Sequence, residues 1–309
     1  MSRARGHATK RLLAPAPATV PATRSTVGEV EVPAPASWRV RAGAPARTTW
    51  TIVDRRWDRP AELAGDVAAR RPPIVLVHGL GVAAGMCAPL ARRLAATGPV
   101  FAPDLPGHGH SGKPVPVPDV VELGAALADW LPAVVTAPAV LVGVSLGCQV
   151  VVETAATAPD WVSAVVLASP IVDPDRRRWR HQLWRWRAEQ STQSWRLKRV
   201  QVVDYRRAGL GRVVRTFASA LRQRPEDRIR QVAAPVLICR GTRDPLVGDA
   251  WASDLRTLAH HARLRRLPGV VHAMSHDNPV EFARVIHGFL DQVARCTGGV
   301  DGVPTEVPG

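Results

Sequence analysis

Uninterrupted apolar runs recur along this chain, separated by stretches with helical spacing. Ile74–Val77, Val100–Ala102, Val140–Val142, Val165–Leu167 and Val236–Ile238 contain no polar side chain, as expected of strands buried on both faces of a parallel sheet. Between them, Leu90–Ala96 runs into Gly98–Pro99, and Val120–Val135 and Leu146–Ala158 repeat apolar residues at helical intervals. This alternation predicts an α/β fold with a mostly parallel central sheet flanked by helices. Ahead of the series, Trp38–Arg41 and Thr49–Val53 alternate apolar and polar residues. That pattern predicts two edge strands forming an antiparallel hairpin.

Residues 170–230 break the alternation. They are rich in arginine, read as helical, and contain Trp179, Trp184, Trp186, Trp195 and the chain's one tyrosine, Tyr205. Inserted between two strands of the series, they are expected to form a helical cap over the strand ends. The resulting division has a basic Ala/Pro-rich arm at 1–45, expected to be disordered, and a first part of the core at 46–169. The cap at 170–230 follows, then a second part of the core at 231–296 and a tail at 297–309, expected to be flexible.

Composition narrows the class. A chain of 309 residues that is 46% hydrophobic and 22% charged, with a mean hydropathy of −0.04, is neither disordered nor fibrous. The four cysteines, Cys87, Cys148, Cys239 and Cys296, are far apart and form no C-x-x-C pair, which argues against a zinc site or a disulfide framework. No apolar run is long enough to span a bilayer. Met1–Val20 lacks the apolar block of a signal peptide, so a cytoplasmic location is expected. The net charge is +15, and 38 of the 41 basic residues are arginine. The excess is concentrated in the N-terminal arm and the cap. Such charge raises nucleic acid or an anionic membrane as a partner, but no nucleic-acid-binding motif accompanies it, so no specific nucleic acid is expected.

The candidate chemistry lies at strand ends, where sheets of this type gather their sites. Gly143–Val144–Ser145–Leu146–Gly147 follows an apolar strand and opens a helix, the setting in which G-x-S-x-G presents a nucleophilic serine. A turn this tight has no room for a Cβ at either glycine. A serine needs a base, and the base needs an orienting acid. Asp244 follows the strand at 236–238, and His272 follows the next apolar-to-turn segment, Leu267–Val271. The chain order Ser145, Asp244, His272 fits a triad on this topology.

These motifs together resemble the α/β-hydrolase fold family of lidded serine hydrolases and esterases. His78–Gly79–Leu80–Gly81 matches its H-G-x segment, and Asp104–Leu105–Pro106–Gly107–His108–Gly109–His110–Ser111 matches its D-x-P-G-x-G-x-S loop. Gly241–Thr242–Arg243–Asp244–Pro245–Leu246–Val247 matches its acid-bearing segment, and His272 lies seven residues before Pro279 as in its terminal segment. Val271 stands where the family usually has glycine. The resemblance runs over roughly residues 70–290, outside the cap. It implies Ser145 as nucleophile, His272 as base, Asp244 as orienting acid, and the backbone N–H groups of Leu80 and Leu146 as an oxyanion hole. It also implies that Gly81 lets substrate approach the backbone, that His78 is structural, that His108 and His110 brace their loop by hydrogen bonds, and that Asp104 caps it. His276 competes with His272, and Asp173 with Asp244, but their spacing matches less well. Serine at position 145 argues against dehalogenase and epoxide hydrolase chemistry, which use an aspartate there.

The expected activity is hydrolysis of a carboxylic ester or related acyl substrate through an acyl-enzyme. C–C bond hydrolysis, thioester hydrolysis and acyl transfer use the same machinery. The rival from another class is a non-catalytic member that binds a ligand, a membrane or nucleic acid through its cap. No metal or other cofactor is expected. Trp179, Leu183 and Trp186 are spaced to share one helix face. Three readings follow for them: a stripe packed on the core with arginines outside, the wall of a substrate pocket, or an interfacial lid making weak contact with anionic membrane through residues 170–230.

Overall fold

The computed structural model describes residues 24–58, 71–177 and 179–297. Eight strands form one sheet in the order β1-β2-β4-β3-β5-β6-β7-β8. They are β1 (Arg24–Pro33), β2 (Thr49–Asp58), β3 (Ile74–Val77), β4 (Val100–Pro103), β5 (Ala139–Val144), β6 (Val162–Ala168), β7 (Val236–Gly241) and β8 (Ala262–Leu267). The β1–β2 and β2–β4 pairings are antiparallel, and the pairings among β3 to β8 and between β3 and β4 are parallel. This is the α/β-hydrolase architecture, with five of its strands the apolar runs of the sequence.

Strand alternation divides the core into two layers. Val75 and Val77 of β3 and Leu141 of β5 face one layer, while Ile74, Leu76, Val140 and Val142 face the other. The first is covered by α3 (Val120–Val134), α4 (Leu146–Thr157) and α9 (Asp249–Leu258), through Leu127, Trp130, Val150 and Trp251 among others. The second is covered by α2 (Ala88–Leu94) and α11 (Pro279–Thr297), through Leu90, Leu94, Phe282 and Ile286. Asp119 begins α3 with a capping box, accepting from the Glu122 amide at 2.9 Å while the Glu122 carboxylate accepts from the Asp119 amide at 2.8 Å.

The N-terminal region differs from expectation in two respects. Arg24–Pro33, placed within the disordered arm, is a ten-residue strand paired along its full length with β2. Trp38–Arg41, expected to be a strand, lies in a short helix, α1 (Ala36–Ala42). The cause is packing. Trp38 is buried edge-on against Trp50 with ring centroids 5.1 Å apart, its indole N–H donating to Pro116 O at 2.8 Å. The helix then stops at Gly43, whose φ of 62° is the left-handed ending that glycine favours. Residues 1–23 of the arm and the tail beyond 297 lie outside the described residues.

Between β6 and β7 the chain folds into α5 (Trp179–Thr192), α6 (Trp195–Ala208), α7 (Leu210–Arg222) and the single-turn α8 (Pro225–Arg228). Ser194 caps α6 through its hydroxyl and also donates to Asp277 at 2.6 Å, on the short α10 (Met274–Asp277). Asp204 of α6 accepts from the Ala83 amide at 3.1 Å. Among the described residues, no helix is long and apolar enough to cross a membrane, and no group of three His, Cys, Asp or Glu side chains is placed to hold a metal. Cys87, Cys148, Cys239 and Cys296 are all free thiols.

Candidate active site

Ser145 stands at the turn from β5 into α4 with φ 56° and ψ −117°, a strained conformation for a residue with a side chain. The flanking glycines are required by backbone contacts. A Cβ on Gly143 would lie 2.5 Å from Gly147 O, and one on Gly147 would lie 2.3 Å from Val77 O. The turn is held in place as the Ser145 amide donates to Ala168 O at 2.9 Å. Its hydroxyl, at the start of α4, opens on a cavity of about 430 Å³.

Asp244 and His272 meet beside that cavity. They follow β7 and β8, adjacent parallel strands whose ends bring the two loops together. His272 Nδ1 lies 2.8 Å from Asp244 Oδ2, with both residues almost fully buried. The other carboxylate oxygen accepts from the Leu246 and Val247 amides at 2.8 and 3.3 Å. Burial works to push the Asp244 carboxyl up, but the His272 ring, the Ser169 hydroxyl and the Leu246 amide together hold it below the usual range. For His272, burial works to lower the pKa, and the Asp244 carboxylate with a further contribution from Glu189 overcomes it, so the imidazole sits above its ordinary value. His272 and Ser145 line the same cavity. Among the described residues no hydrogen bond joins their side chains; catalytic contacts of this kind often tighten only around the reacting substrate.

Gly79 packs against Ser145, since a Cβ there would meet Ser145 Cβ at 3.4 Å. Leu80, the next residue, lines the cavity, and Leu146 is the buried first residue of α4. His78 is fully buried and is held by its own loop. Its Nε2 accepts from the Leu105 amide at 3.0 Å, which fixes Nδ1 as the donor to Gly79 O at 2.8 Å. Asp104 caps its loop through the Ala84 and His110 amides at 2.7 and 2.9 Å. His108 is buried and packs against His78 at 5.2 Å between centroids. Burial and the neighbouring His78 push it down to about 3, so it is uncharged.

A model of the alpha/beta hydrolase family matches residues 74–285. The chain belongs to this family. A pimeloyl-[acyl-carrier protein] methyl ester esterase of Stenotrophomonas maltophilia (strain K279a) is 44% identical over 85 residues, and one from Xylella fastidiosa is 38% identical over a stretch of the same length. Each match spans 26% of this chain and 30% of the relative, so the chain spans less than a third of the length of these curated relatives. Among solved structures, a membrane phospholipase A described as a bacterial virulence factor superposes with a TM-score of 0.68 at 22% identity, covering 87% of this chain and 86% of its own. The enol-lactonase of Burkholderia xenovorans LB400 gives 0.63 at 21% identity, covering 78% and 97%. These structural likenesses are likenesses of fold.

Within this alpha/beta hydrolase, three residues singled out in the sequence sit elsewhere than the candidate site. Asp173 caps a short turn, accepting from the Asp175 amide at 3.1 Å. His276 lies 2.9 Å from Asp277, the carboxylate that also binds Ser194. Gly81, expected to admit substrate, is covered by the cap. With φ +72°, a Cβ there would fall 2.1 Å from Tyr205 Cε1 and 3.1 Å from Val213 Cγ2, so the glycine admits the Tyr205 ring.

Helices α5, α6 and α7 supply one wall of the cavity. Trp179 and Trp186 both line it, each about half exposed, together with Tyr205, Val213, Val214 and Phe217. The pocket-wall reading of the aromatic stripe therefore fits better than packing against the core. The Leu183 side chain lies outside the described residues. Arg185 is buried and donates to Leu246 O at 2.6 Å. Sequence reasoning missed Gln182, Glu189, Gln201, Tyr205 and Phe217 as cavity residues, because helix spacing groups residues on one face without saying what that face meets.

Proposed function

We propose that this chain hydrolyses carboxylic esters through an acyl-enzyme on Ser145. The observation that carries this reading is the buried Asp244–His272 pair on the wall of the same apolar cavity onto which Ser145 opens. Ser145 Oγ attacks the ester carbonyl carbon while His272 Nε2 takes the hydroxyl proton. Asp244 holds Nδ1–H and stabilises the imidazolium. The N–H groups of Leu80 and Leu146 receive the carbonyl oxygen as it gains negative charge, an interaction for which losing one donor typically costs about 2.7–4 kcal/mol. The C–O bond then breaks as His272 returns its proton to the departing alcohol. Water attacks the acyl carbon, giving one proton to His272, which passes it to Ser145 Oγ as the serine is released.

The name of the curated relatives, a methyl ester esterase, favours an ester over a C–C bond or a thioester. The cavity volume, about 430 Å³, is within the range of small-molecule sites and its wall is chiefly apolar, so an acyl or alcohol part with substantial apolar surface is preferred. The test combines a fluorophosphonate probe with p-nitrophenyl esters of graded acyl length. Wild-type chain should be labelled and active, and Ser145→Ala should lose both. Labelling that survives in Ser145→Ala would refute the assignment.

A further inference from the structure

The cavity above Ser145 combines an aromatic wall with a buried carboxylate. The chain has ten tryptophans, four phenylalanines and one tyrosine. Trp179, Trp186, Tyr205 and Phe217 all line this cavity, Trp179 standing edge-on to Phe217 with centroids 5.0 Å apart. Glu189 belongs to the same wall and is only 4% exposed. Its carboxylate accepts from Gln193 Nε2 and, at 3.5 Å, from Gln190 Nε2. Among the described residues, no basic side chain pairs with it.

Of the carboxylates buried to a similar degree, Glu122, Glu153 and Asp244 pair with Arg41, Arg228 and His272. Asp54 and Asp204, like Glu189, have no ion pair among the described residues, but of these three only Glu189 lines the cavity. A buried carboxylate without a counter-charge is costly to keep, and this one is turned to a cavity. It lies close enough to His272 and Tyr205 to act on both, adding to the Asp244 effect that holds His272 above its ordinary value and, with burial, pushing the Tyr205 phenol up to about 12. A cation with an apolar body satisfies both features, because aromatic faces attract cations and the carboxylate neutralises them.

We propose that this cavity takes an ester whose cavity-filling part carries an ammonium group, with Glu189 as its counter-charge and the rings of Trp179, Trp186, Tyr205 and Phe217 as its wall. The inference rests on the ester-hydrolase reading. The strongly basic exterior opposes long-range attraction of a cation, an effect screened over about 8 Å at physiological ionic strength. Selectivity therefore arises inside the cavity and should persist at high salt.

Two matched ester pairs test this with the full chain. One pair places the charge in the alcohol, a trimethylammonioethyl ester against its neutral tert-butylethyl isostere. The other places it in the acid, a p-nitrophenyl trimethylammoniobutyrate against its tert-butyl isostere. In at least one pair the cationic member should be favoured about tenfold or more in kcat/KM. Glu189→Gln should collapse that ratio, and Glu189→Asp, which keeps the charge, should restore part of it. Absence of cationic preference in both pairs would overturn the proposal, and so would a ratio that survives in Glu189→Gln. An equal loss on both members would also overturn it, since Glu189 would then act through His272 rather than on substrate. Fluorophosphonate labelling of Ser145 in each variant reports an intact site, so a failure of the hydrolase reading is separately visible. Calorimetric titration of Ser145→Ala chain with benzyltrimethylammonium reads the subsite without turnover. No binding, or equal affinity once Glu189→Gln is added, overturns the proposal as well.

Discussion

Asp244 holds His272 with one carboxylate oxygen and is itself held by the backbone with the other. Oδ2 lies 2.8 Å from His272 Nδ1, while Oδ1 accepts from the Leu246 amide at 2.8 Å. The backbone contact fixes the rotation of the carboxylate, and the carboxylate fixes the tautomer and tilt of the ring. Asp244→Asn preserves the shape but can offer its amide N–H toward Nδ1, which favours the wrong tautomer. In a serine triad the equivalent change lowers kcat about 10⁴-fold. A loss of that order is expected here with KM little changed, measured on the best p-nitrophenyl ester. A loss below about tenfold would show that Asp244 is not the orienting acid.

The same pair sets opposite pH dependences for activity and stability. As base, His272 must be neutral, so kcat/KM should rise with pH through the His272 pKa, at a midpoint above the ordinary 6.5. Glu189→Gln removes one of the charges that raise it and should move that midpoint down. Stability follows linkage. The His272 pKa is raised by folding, so its contribution is complete below about 6.5 and is lost as pH rises through the folded value. The Asp244 pKa is depressed, so its contribution is present above about 3.8 and is lost as pH falls through the folded value. The difference in Tm between wild type and His272→Gln should therefore be largest between these limits and shrink as pH rises into the range where activity increases.

Gly147 shows how closely the nucleophile turn is packed. Its missing Cβ would point at two backbone carbonyls, Val77 O at 2.3 Å and His78 O at 2.7 Å. Neither can move without disturbing β3 or the loop that carries Leu80. Overpacking a rigid site costs about 1–3 kcal/mol and sometimes more. Gly147→Ala should fall at the upper end of that range by denaturant unfolding and should also lose fluorophosphonate labelling, because relief of the clash requires Ser145 or Leu80 to shift.

The parts of this molecule that were legible from sequence are those whose pattern is set locally. Ile74–Val77 and Val140–Val142 read as strands because burial on both faces leaves no polar residue in them. Gly143 and Gly147 declare the turn around Ser145 because only glycine fits there. Where a pattern has two physical explanations, it misled. Trp38–Arg41 alternates like a strand, yet burial of Trp38 against Trp50 is met by about two turns of helix. Glu29–Val32 also alternates, but it sits among prolines and alanines that suggested an unstructured arm. β8, with Arg263, Arg265 and Arg266, is an edge strand whose exposed face hid its identity. The cavity wall was the least legible. Tyr205 is separated by 60 residues of sequence from Ser145 and meets the site only through the packing of α6, and Glu189 lies on α5 in no motif that would mark it.

Gly81, in the loop after β3, packs against Tyr205 of α6, and the contact can be measured as a coupling. Gly81 has φ +72°, which by itself disfavours a side chain, and a Cβ there would overlap Tyr205 Cε1 at 2.1 Å. Gly81→Ala thus carries two costs, backbone strain of about 1–3 kcal/mol and displacement of a ring that lines the cavity. Tyr205→Ala removes the second cost and leaves the first. In a double-mutant cycle the Gly81→Ala penalty should be smaller when Tyr205 is already alanine, with a coupling of about 1 kcal/mol or more. The kinetic expectation runs in parallel: Gly81→Ala alone should raise KM by pushing the Tyr205 ring out of place, and should do so much less in the Tyr205→Ala background. Strictly additive effects on both stability and KM would show that the cap does not bear on Gly81.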